Sequence, residues 1–265
     1  MRKLLRMLYG IARRILIAKP NQLYFSFAKS KVECNICHYK ANRLTSDSWH
    51  LYIICPNCGS QVRHRLFMAT LEHSKDFSFK KIIDGRSVLH FAPEKLLRKL
   101  IKQHAQSYKT ADFLTEGYFY GKLDFNIDMS DMPIIEDESF DCVIACDVLE
   151  HIPNHINAMK EVYRILKKGG HCIFTVPQRD NLEVTHEDLS SMKPKDRKKA
   201  FAQFDHWRMY GNDFPSLLEK CGFKVTIMDE KSFPKEIVEK RVLFPPILSK
   251  KENVTNFRKV FIGMK

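Results

Sequence analysis

Four of the eight cysteines fall in two pairs, Cys34-x2-Cys37 and Cys55-x2-Cys58. Two such turns can bring four soft thiolates to the corners of a tetrahedron, the arrangement zinc takes in structural sites. One zinc ion on Cys34, Cys37, Cys55 and Cys58 is therefore expected, with a small hairpin or ribbon between the pairs; two disulfides or an iron–sulfur site are the other uses of this spacing. Arg63, His64 and Arg65 follow the second pair directly. They either neutralise a dianionic zinc tetrathiolate and tie it to the rest of the chain, or grip a phosphate or carboxylate, since arginine offers a bidentate fork. Cys142, Cys146, Cys172 and Cys221 stand in apolar stretches and read as small core residues. Cys146 differs in ending an expected strand, where α/β proteins bind ligands.

The elements that must position these groups show in the periodicity. From residue 86 onward, strands at 86–91, 107–113, 122–128, 140–150 and 171–177 alternate with helices at 93–105 and 156–170, the second closed by glycine. A further helix at 211–223, with Gly222 past its end, precedes strands at 224–229 and 257–264. Continuous apolar strands alternating with helices predict a doubly wound, mostly parallel sheet covered on both faces. Residues 178–210 interrupt the rhythm, polar first and then aromatic, and read as a lid over the carboxyl edge of the sheet. A helix is expected from about residue 60, after the second cysteine pair. Residues 2–17 form an amphipathic helix, with Leu4, Leu5, Leu8, Ile11, Ala12, Ile15 and Leu16 on one side and arginines and lysine opposite, which Pro20 should stop. Such a helix packs on the protein's own core or a second subunit, lies on a membrane surface, or contacts nucleic acid. The divisions that follow are 1–30 for helix and linker, 31–80 for the zinc-knuckle module and its following helix, and 81–265 for the α/β domain, with the lid-like insertion at 178–210.

Composition narrows the class. With 44% hydrophobic and 28% charged residues and only 10 Gly and 11 Pro in 265, the chain is neither fibrous nor disordered. Its net charge of +13 is concentrated at the ends: residues 1–30 carry seven basic side chains and no acidic one, whereas 81–180 are slightly acidic. The ends suit an anionic partner and the middle a neutral or cationic small molecule. No secretory leader pattern is read, and the expected location is cytoplasmic or peripheral at the membrane.

The motif order over about residues 84–229 resembles that of class I S-adenosylmethionine-dependent methyltransferases. The most specific part is ESFDCVIACDVLEHIPN (138–154) followed by AMKEVYRILKKGGHCIFTVP (158–177). The cysteine pairs, RHR (63–65), VLHFAPE (88–94) and DHWRMYG (205–211) together resemble a bacterial branch of zinc-knuckle methyltransferases. The resemblance implies a Rossmann-like, seven-stranded sheet after a small zinc module. It also implies S-adenosylmethionine as cofactor, with its tail near His90, Ala92 and Glu94 and its ribose on Asp112. Adenine would lie beside Asp128 and Met129, and Cys146 and Asp147 next to the methionine half. Glu150 and His151 would fix the loop around the site. One departure stands out: the family's acidic residue and G-x-G-x-G become His90-Phe-Ala-Pro-Glu94, with Ala92 alone as a small residue.

The implied reaction is an in-line attack on the cofactor methyl, for which His206, His186, Tyr210 and Asp205 on the lid are the candidate polar groups, and Phe201, Phe204, Trp207 and Tyr210 a candidate substrate wall. The expected acceptor is a small molecule or glycan-type compound. An RNA methyltransferase with a cysteine–zinc module, or a non-catalytic zinc-containing adaptor, are the alternatives; against RNA, the fourth strand ends Ala-Cys-Asp and lacks the N/D-P-P-Y/F motif of many base N-methyltransferases.

Overall fold

The structure, a computed structural model, describes residues 2–113, 122–190, 193–252 and 254–265, and side chains from residue 8 onward apart from residue 194. Of the expected N-terminal stripe, the side chains of Leu4 and Leu5 thus lie outside the described residues. Helix α1 (Arg2–Arg13), a π-helical turn (Arg14–Ala18) and α2 (Lys19–Tyr24) run consecutively. Pro20 therefore does not stop the helix. It falls in the first turn of α2, just past the wider π turn, where a missing amide hydrogen costs little.

The cysteine module carries one hairpin, β1 (Val32–Glu33) with β2 (Lys40–Ala41). Helices α3 (Val62–His73) and α4 (Phe79–Ile82) lead to β3 (Ser87–Phe91), α5 (Lys95–His104), β4 (Ser107–Asp112), β5 (Phe125–Asn126), β6 (Phe140–Cys146), α6 (His155–Ile165) and β7 (Leu166–Thr175). The lid region holds β8 (His186–Glu187), α7 (Pro194–Phe201) and β9 (Arg208–Met209). After it come α8 (Phe214–Lys220), β10 (Lys224–Met228), α9 (Lys235–Arg241) and β11 (Val260–Met264).

Seven strands form one sheet in the order β10-β11-β7-β6-β3-β4-β5. All neighbours are parallel except β11, which runs antiparallel to both β7 and β10. Strand order reverses between β3 and β6, the switch point at whose carboxyl ends α/β proteins bind ligands. Val88, Leu89, Val143, Ile144 and Ile173, each wholly or almost wholly buried, explain the continuous apolar strands, because both faces are covered. Helices α6 and α8 cover one face through Met159, Val162, Phe214 and Leu218. Leu66, Met68 and Leu71 of α3, with Leu97 and Ile101 of α5, cover the other. Helix α3, expected with the cysteine module, is thus a layer on the sheet, and the module's own cluster around Cys34, Tyr39, Ala41, Leu44 and Cys55 is separate.

Two glycines behave differently. Gly222 lies past the end of α8 at φ +104°, as the sequence predicts. Gly169 does not close α6: that helix ends at Ile165, Leu166 is already extended and fully buried, and Gly169 (φ +72°) sits in an irregularity where the β6–β7 register shifts between Phe140 and Cys142. Burial of Leu166 in the sheet outweighs continuation of the helix.

Candidate functional site

The four paired cysteines come together. Their sulfurs all lie within 4.8 Å of one another, with Cys34–Cys58 at 3.8 Å and Cys37–Cys55 at 3.6 Å, and none forms a disulfide. A tetrahedron with zinc–sulfur bonds of about 2.3 Å has edges of about 3.8 Å, so the thiolate set fits a zinc ion. The two knuckles share one turn: the amide of His38 donates to the Cys34 carbonyl and that of Gly59 to the Cys55 carbonyl, both at 2.8 Å and both with positive φ.

The arginine run after the second knuckle divides its work. Arg65 is wholly buried and donates to the carbonyls of Ser60 (2.8 Å), Ile53 (2.8 Å), Arg241 (2.9 Å) and Val242 (3.0 Å); burial lowers its pKa, and the four nearby cysteines offset part of that. It is the neutralising and tying residue. Arg63 points the other way, to Glu94 at 2.6 Å and Asp147 at 3.2 Å. His64 caps its own helix: Nδ1 accepts from the Gln61 amide at 3.0 Å, which leaves the proton on Nε2 to donate to Glu94 Oε1 at 2.9 Å. The start of α3 thereby presents its positive end to a carboxylate.

Glu94 and Asp147 stand at the carboxyl ends of β3 and β6, on the rim of a cavity of about 530 Å³. Burial alone would raise both carboxyls; His64 and Arg63 outweigh it at Glu94, and Arg258 (3.3 Å) and Arg63 hold Asp147 well below the usual carboxylate range. Thr175 Oγ1 donates to Asp147 at 2.8 Å. The Glu94 atom Oε2 is buried without any hydrogen-bond partner. Ala92, two residues before Glu94, adopts φ +43°, and Asp147 itself φ +52°. The turn after β3 thus has the left-handed backbone that a glycine loop would give, on an alanine.

The cavity gathers Ala92, Glu94, Cys146, Asp147, Glu150, His151 and His206, with Arg63 and Arg258. Burial, Glu94 and Asp147 push the Cys146 thiol well up, so it stays neutral. Asp112 ends β4, the neighbour of β3, accepts from the next amide at 2.8 Å and feels the charge of His151, but does not line the cavity among the described residues. Asp128 accepts twice from Ser130 on Oδ1, and Met129 is buried in the core beneath. His90 is sealed inside the sheet, bonded to the Tyr108 hydroxyl at 2.8 Å and lowered to about 4 by burial, so it does not face the cavity.

On the lid, the expected aromatic wall does not form. Phe201 and Tyr210 are wholly buried, Phe204 is exposed, Trp207 stacks under Arg197, and Ala202, Gln203, His206 and Met209 face the cavity instead. Tyr210 is bonded through its hydroxyl to His155 at 2.8 Å, and His186 is exposed on β8 with its ring against Phe201. Asp205 lies 3.3 Å from His151 Nδ1. Of the four polar lid candidates, His206 is the one that lines the cavity.

Arg208 was not singled out by sequence, although DHWRMYG contains it. Wholly buried, it donates to the carbonyls of Leu149 (2.8 Å), Ile152 (2.6 Å) and Pro153 (2.7 Å) and pairs with Glu187 at 2.6 Å. The amide of Trp207 donates to the Glu150 carbonyl at 2.9 Å. Lid and 149–153 segment are therefore locked together around His206, Glu150 and His151. Arg258, in what read only as a terminal strand at 257–264, was missed as well.

Residues 87–174, about a third of the chain, match the family described as a methyltransferase domain. No curated protein matches the chain. Among solved structures, one from the complex between the Haloferax volcanii Trm112 methyltransferase activator and a methyltransferase covers 77% of this chain and 88% of its own, at 15% identity and TM-score 0.50. A SAM dependent methyltransferase from Archaeoglobus fulgidus covers 76% and 99%, at 14% identity and TM-score 0.47. The chain has an S-adenosylmethionine-methyltransferase-like fold, joined to a four-cysteine cluster that suggests a small zinc module.

Proposed function

We propose that the protein is an S-adenosylmethionine-dependent methyltransferase acting on a small-molecule or glycan-type acceptor. The observation that carries this reading is the pair Glu94 and Asp147 at the switch point, with a buried, unpartnered Glu94 oxygen beside the Arg63 guanidinium. An amino acid zwitterion fits such a site, its ammonium on Glu94 and its carboxylate on Arg63. The left-handed turn at Ala92 lets the backbone come close to that tail. Asp112, which ends the neighbouring strand β4 outside the cavity's lining, would accept from the ribose. Both Ser130 bonds fall on Asp128 Oδ1, leaving Oδ2 for an adenine amino group. When bound, the cofactor supplies an electrophilic methyl on its sulfonium.

Calorimetric titration of zinc-loaded protein with S-adenosylhomocysteine tests the placement. Asp112→Ala should weaken binding by roughly ten- to a hundred-fold, since a charge-assisted hydrogen bond is worth about 1.5 to 3 kcal/mol. Ala92→Val should weaken it at least as much, because a β-branched residue resists positive φ. Unchanged affinity in both variants would show the cofactor is placed wrongly; absence of wild-type binding ends the reading.

The N-terminal helix supports a second component of the proposal, contact with an anionic lipid surface. Ala18 and Phe25 are buried on the cysteine module and Asn21 donates to the Tyr39 hydroxyl at 2.9 Å, so the helix is anchored. Its other side leaves Leu16 73% exposed, with Leu8, Ile11, Ile15 and Leu23 exposed too, and Phe27 in the turn after the helix is 90% exposed. No acidic residue accompanies the seven basic ones in residues 1–30. Apolar exposure with positive charge matches an interfacial helix. No helix among the described residues is long and apolar enough to cross a membrane. The protein should co-sediment with phosphatidylglycerol vesicles and not with phosphatidylcholine ones, and the double change Leu16→Asp, Leu23→Asp should reduce this at least ten-fold. Equal behaviour on both vesicles defeats the proposal, and a concentration-dependent dimer abolished by the same changes would assign the face to a second copy.

A further inference from the structure

Three side chains in the cavity have no part in holding the cofactor's tail. Glu150, His151 and His206 bring one ligand atom each to within 4.8 Å of the others. Glu150 is 1% and His206 2% exposed. Glu150 Oε2 has no hydrogen-bond partner, and the Phe201 backbone can serve at most one ring nitrogen of His206, so the other is unmatched. Leaving that many buried polar atoms unmatched is costly, and native structures rarely do so without a ligand. The two imidazoles stand edge to face at 4.7 Å.

A second observation points the same way. His151 Nδ1 lies 3.3 Å from Asp205 Oδ2, while Nε2 lies 3.9 Å from Glu150 Oε1 and turns into the cluster. A carboxylate on the outer nitrogen of an imidazole is the usual support of a metal-binding histidine, fixing its ring and raising its basicity. Position is fixed too: Glu150 and His151 lie on the segment that Arg208 clamps at three carbonyls, and His206 is held by the Trp207-to-Glu150 backbone bond. Such a set is pre-organised and needs no rearrangement to bind.

We propose that Glu150, His151 and His206 form a site for a divalent cation of the manganese, iron or zinc class, distinct from the four-cysteine cluster, and that the cation's open positions receive a hydroxyl of the acceptor. Two imidazoles and a carboxylate suit these metals, and three protein ligands leave coordination positions open to the cavity. A hydroxyl on the cation would ionise more readily: its O–H bond breaks, the proton passes to water, and the electron pair kept on oxygen forms the new O–CH3 bond as the sulfonium S–CH3 bond breaks, its electron pair leaving on the sulfur of S-adenosylhomocysteine. The second half of the proposal rests on the methyltransferase reading and narrows it to O-methylation; the cation site does not depend on it.

Manganese distinguishes the two metal centres, because a hard cation does not displace zinc from four thiolates. Zinc-loaded protein titrated with Mn2+ and followed by electron paramagnetic resonance should remove one equivalent of free ion per chain. His206→Ala and Glu150→Gln, each checked for an unchanged melting temperature, should weaken this at least ten-fold. The same variants should lose a second equivalent of Zn2+ in equilibrium dialysis while keeping the first. If wild type takes up neither Mn2+ nor a second Zn2+, or if both variants bind as wild type does, the site is overturned. Metal binding without S-adenosylhomocysteine binding would keep the site and remove the methyltransferase reading.

Discussion

Extraction of zinc by a competing chelator, or the change Cys55→Ser, should unfold the cysteine module first and weaken S-adenosylhomocysteine binding with it. Cys34 and Cys55 are fully buried, and the cluster they anchor contains only a few other wholly buried side chains, such as Tyr39, Ala41 and Leu44. A core of that size cannot stand alone, and structural zinc contributes on the order of 10 kcal/mol to isolated modules. Here the loss should be smaller, about 4 kcal/mol, because α3 stays packed on the sheet; that corresponds to a fall in melting temperature of roughly 10 °C. The effect reaches the cavity because Arg63 and Arg65 are two residues apart on one helix end. If the module frays, Arg65 loses the Ile53 and Ser60 carbonyls and Arg63 loses its fixed approach to Glu94 and Asp147. Scanning fluorimetry, a colorimetric zinc assay and titration with S-adenosylhomocysteine read all three quantities. Full stability and unchanged affinity in metal-free protein would show that the cysteines hold no structural ion.

Arg208→Met should cost about 3 to 5 kcal/mol, the scale seen when one partner of a buried charged network is removed. The methionine fills most of the volume but leaves Leu149, Ile152 and Pro153 without their donor and Glu187 without its cation. Arg208→Lys should recover only part of the loss, since an ammonium cannot reproduce the planar fork that serves three carbonyls and a carboxylate. Urea unfolding at neutral pH measures both. A methionine variant within about 1 kcal/mol of wild type would mean that the clamp is not needed to hold the 149–153 segment.

Sheet strands and the cysteine cluster were legible because each rests on a local pattern: apolar runs such as Cys142–Cys146, and paired Cys-x2-Cys turns. The ends of elements were less so. Gly169 looks like a helix stop, yet Leu166 leaves the helix three residues earlier to enter the sheet, a tertiary preference that no local propensity encodes. At the site, the resemblance pointed to Ala92, Glu94, Cys146 and Asp147, and the lid reading to His206, and these do meet in one cavity. Neither could tell which face His90 and Tyr210 would take, and both turn into the core, where each finds a hydrogen-bond partner. Arg208 and Arg258 were hidden for a related reason: an arginine's burial depends on carbonyls and carboxylates brought in from distant segments.

The clamp of Arg65 has a consequence for the order of assembly. Two of its four carbonyl acceptors belong to Arg241 and Val242, which leave the ribosome long after it. Until they arrive, a guanidinium destined for complete burial lacks half its partners, and water is the cheaper neighbour. The acceptor at Val242 is itself held at φ +51°, a conformation a β-branched residue resists and keeps only when its surroundings impose it. Arginine and strained carbonyl therefore depend on each other. The cysteine module, synthesised before the sheet, closes only after it, and a nascent chain ending short of residue 241 carries an open seam between its cysteine cluster and its sheet.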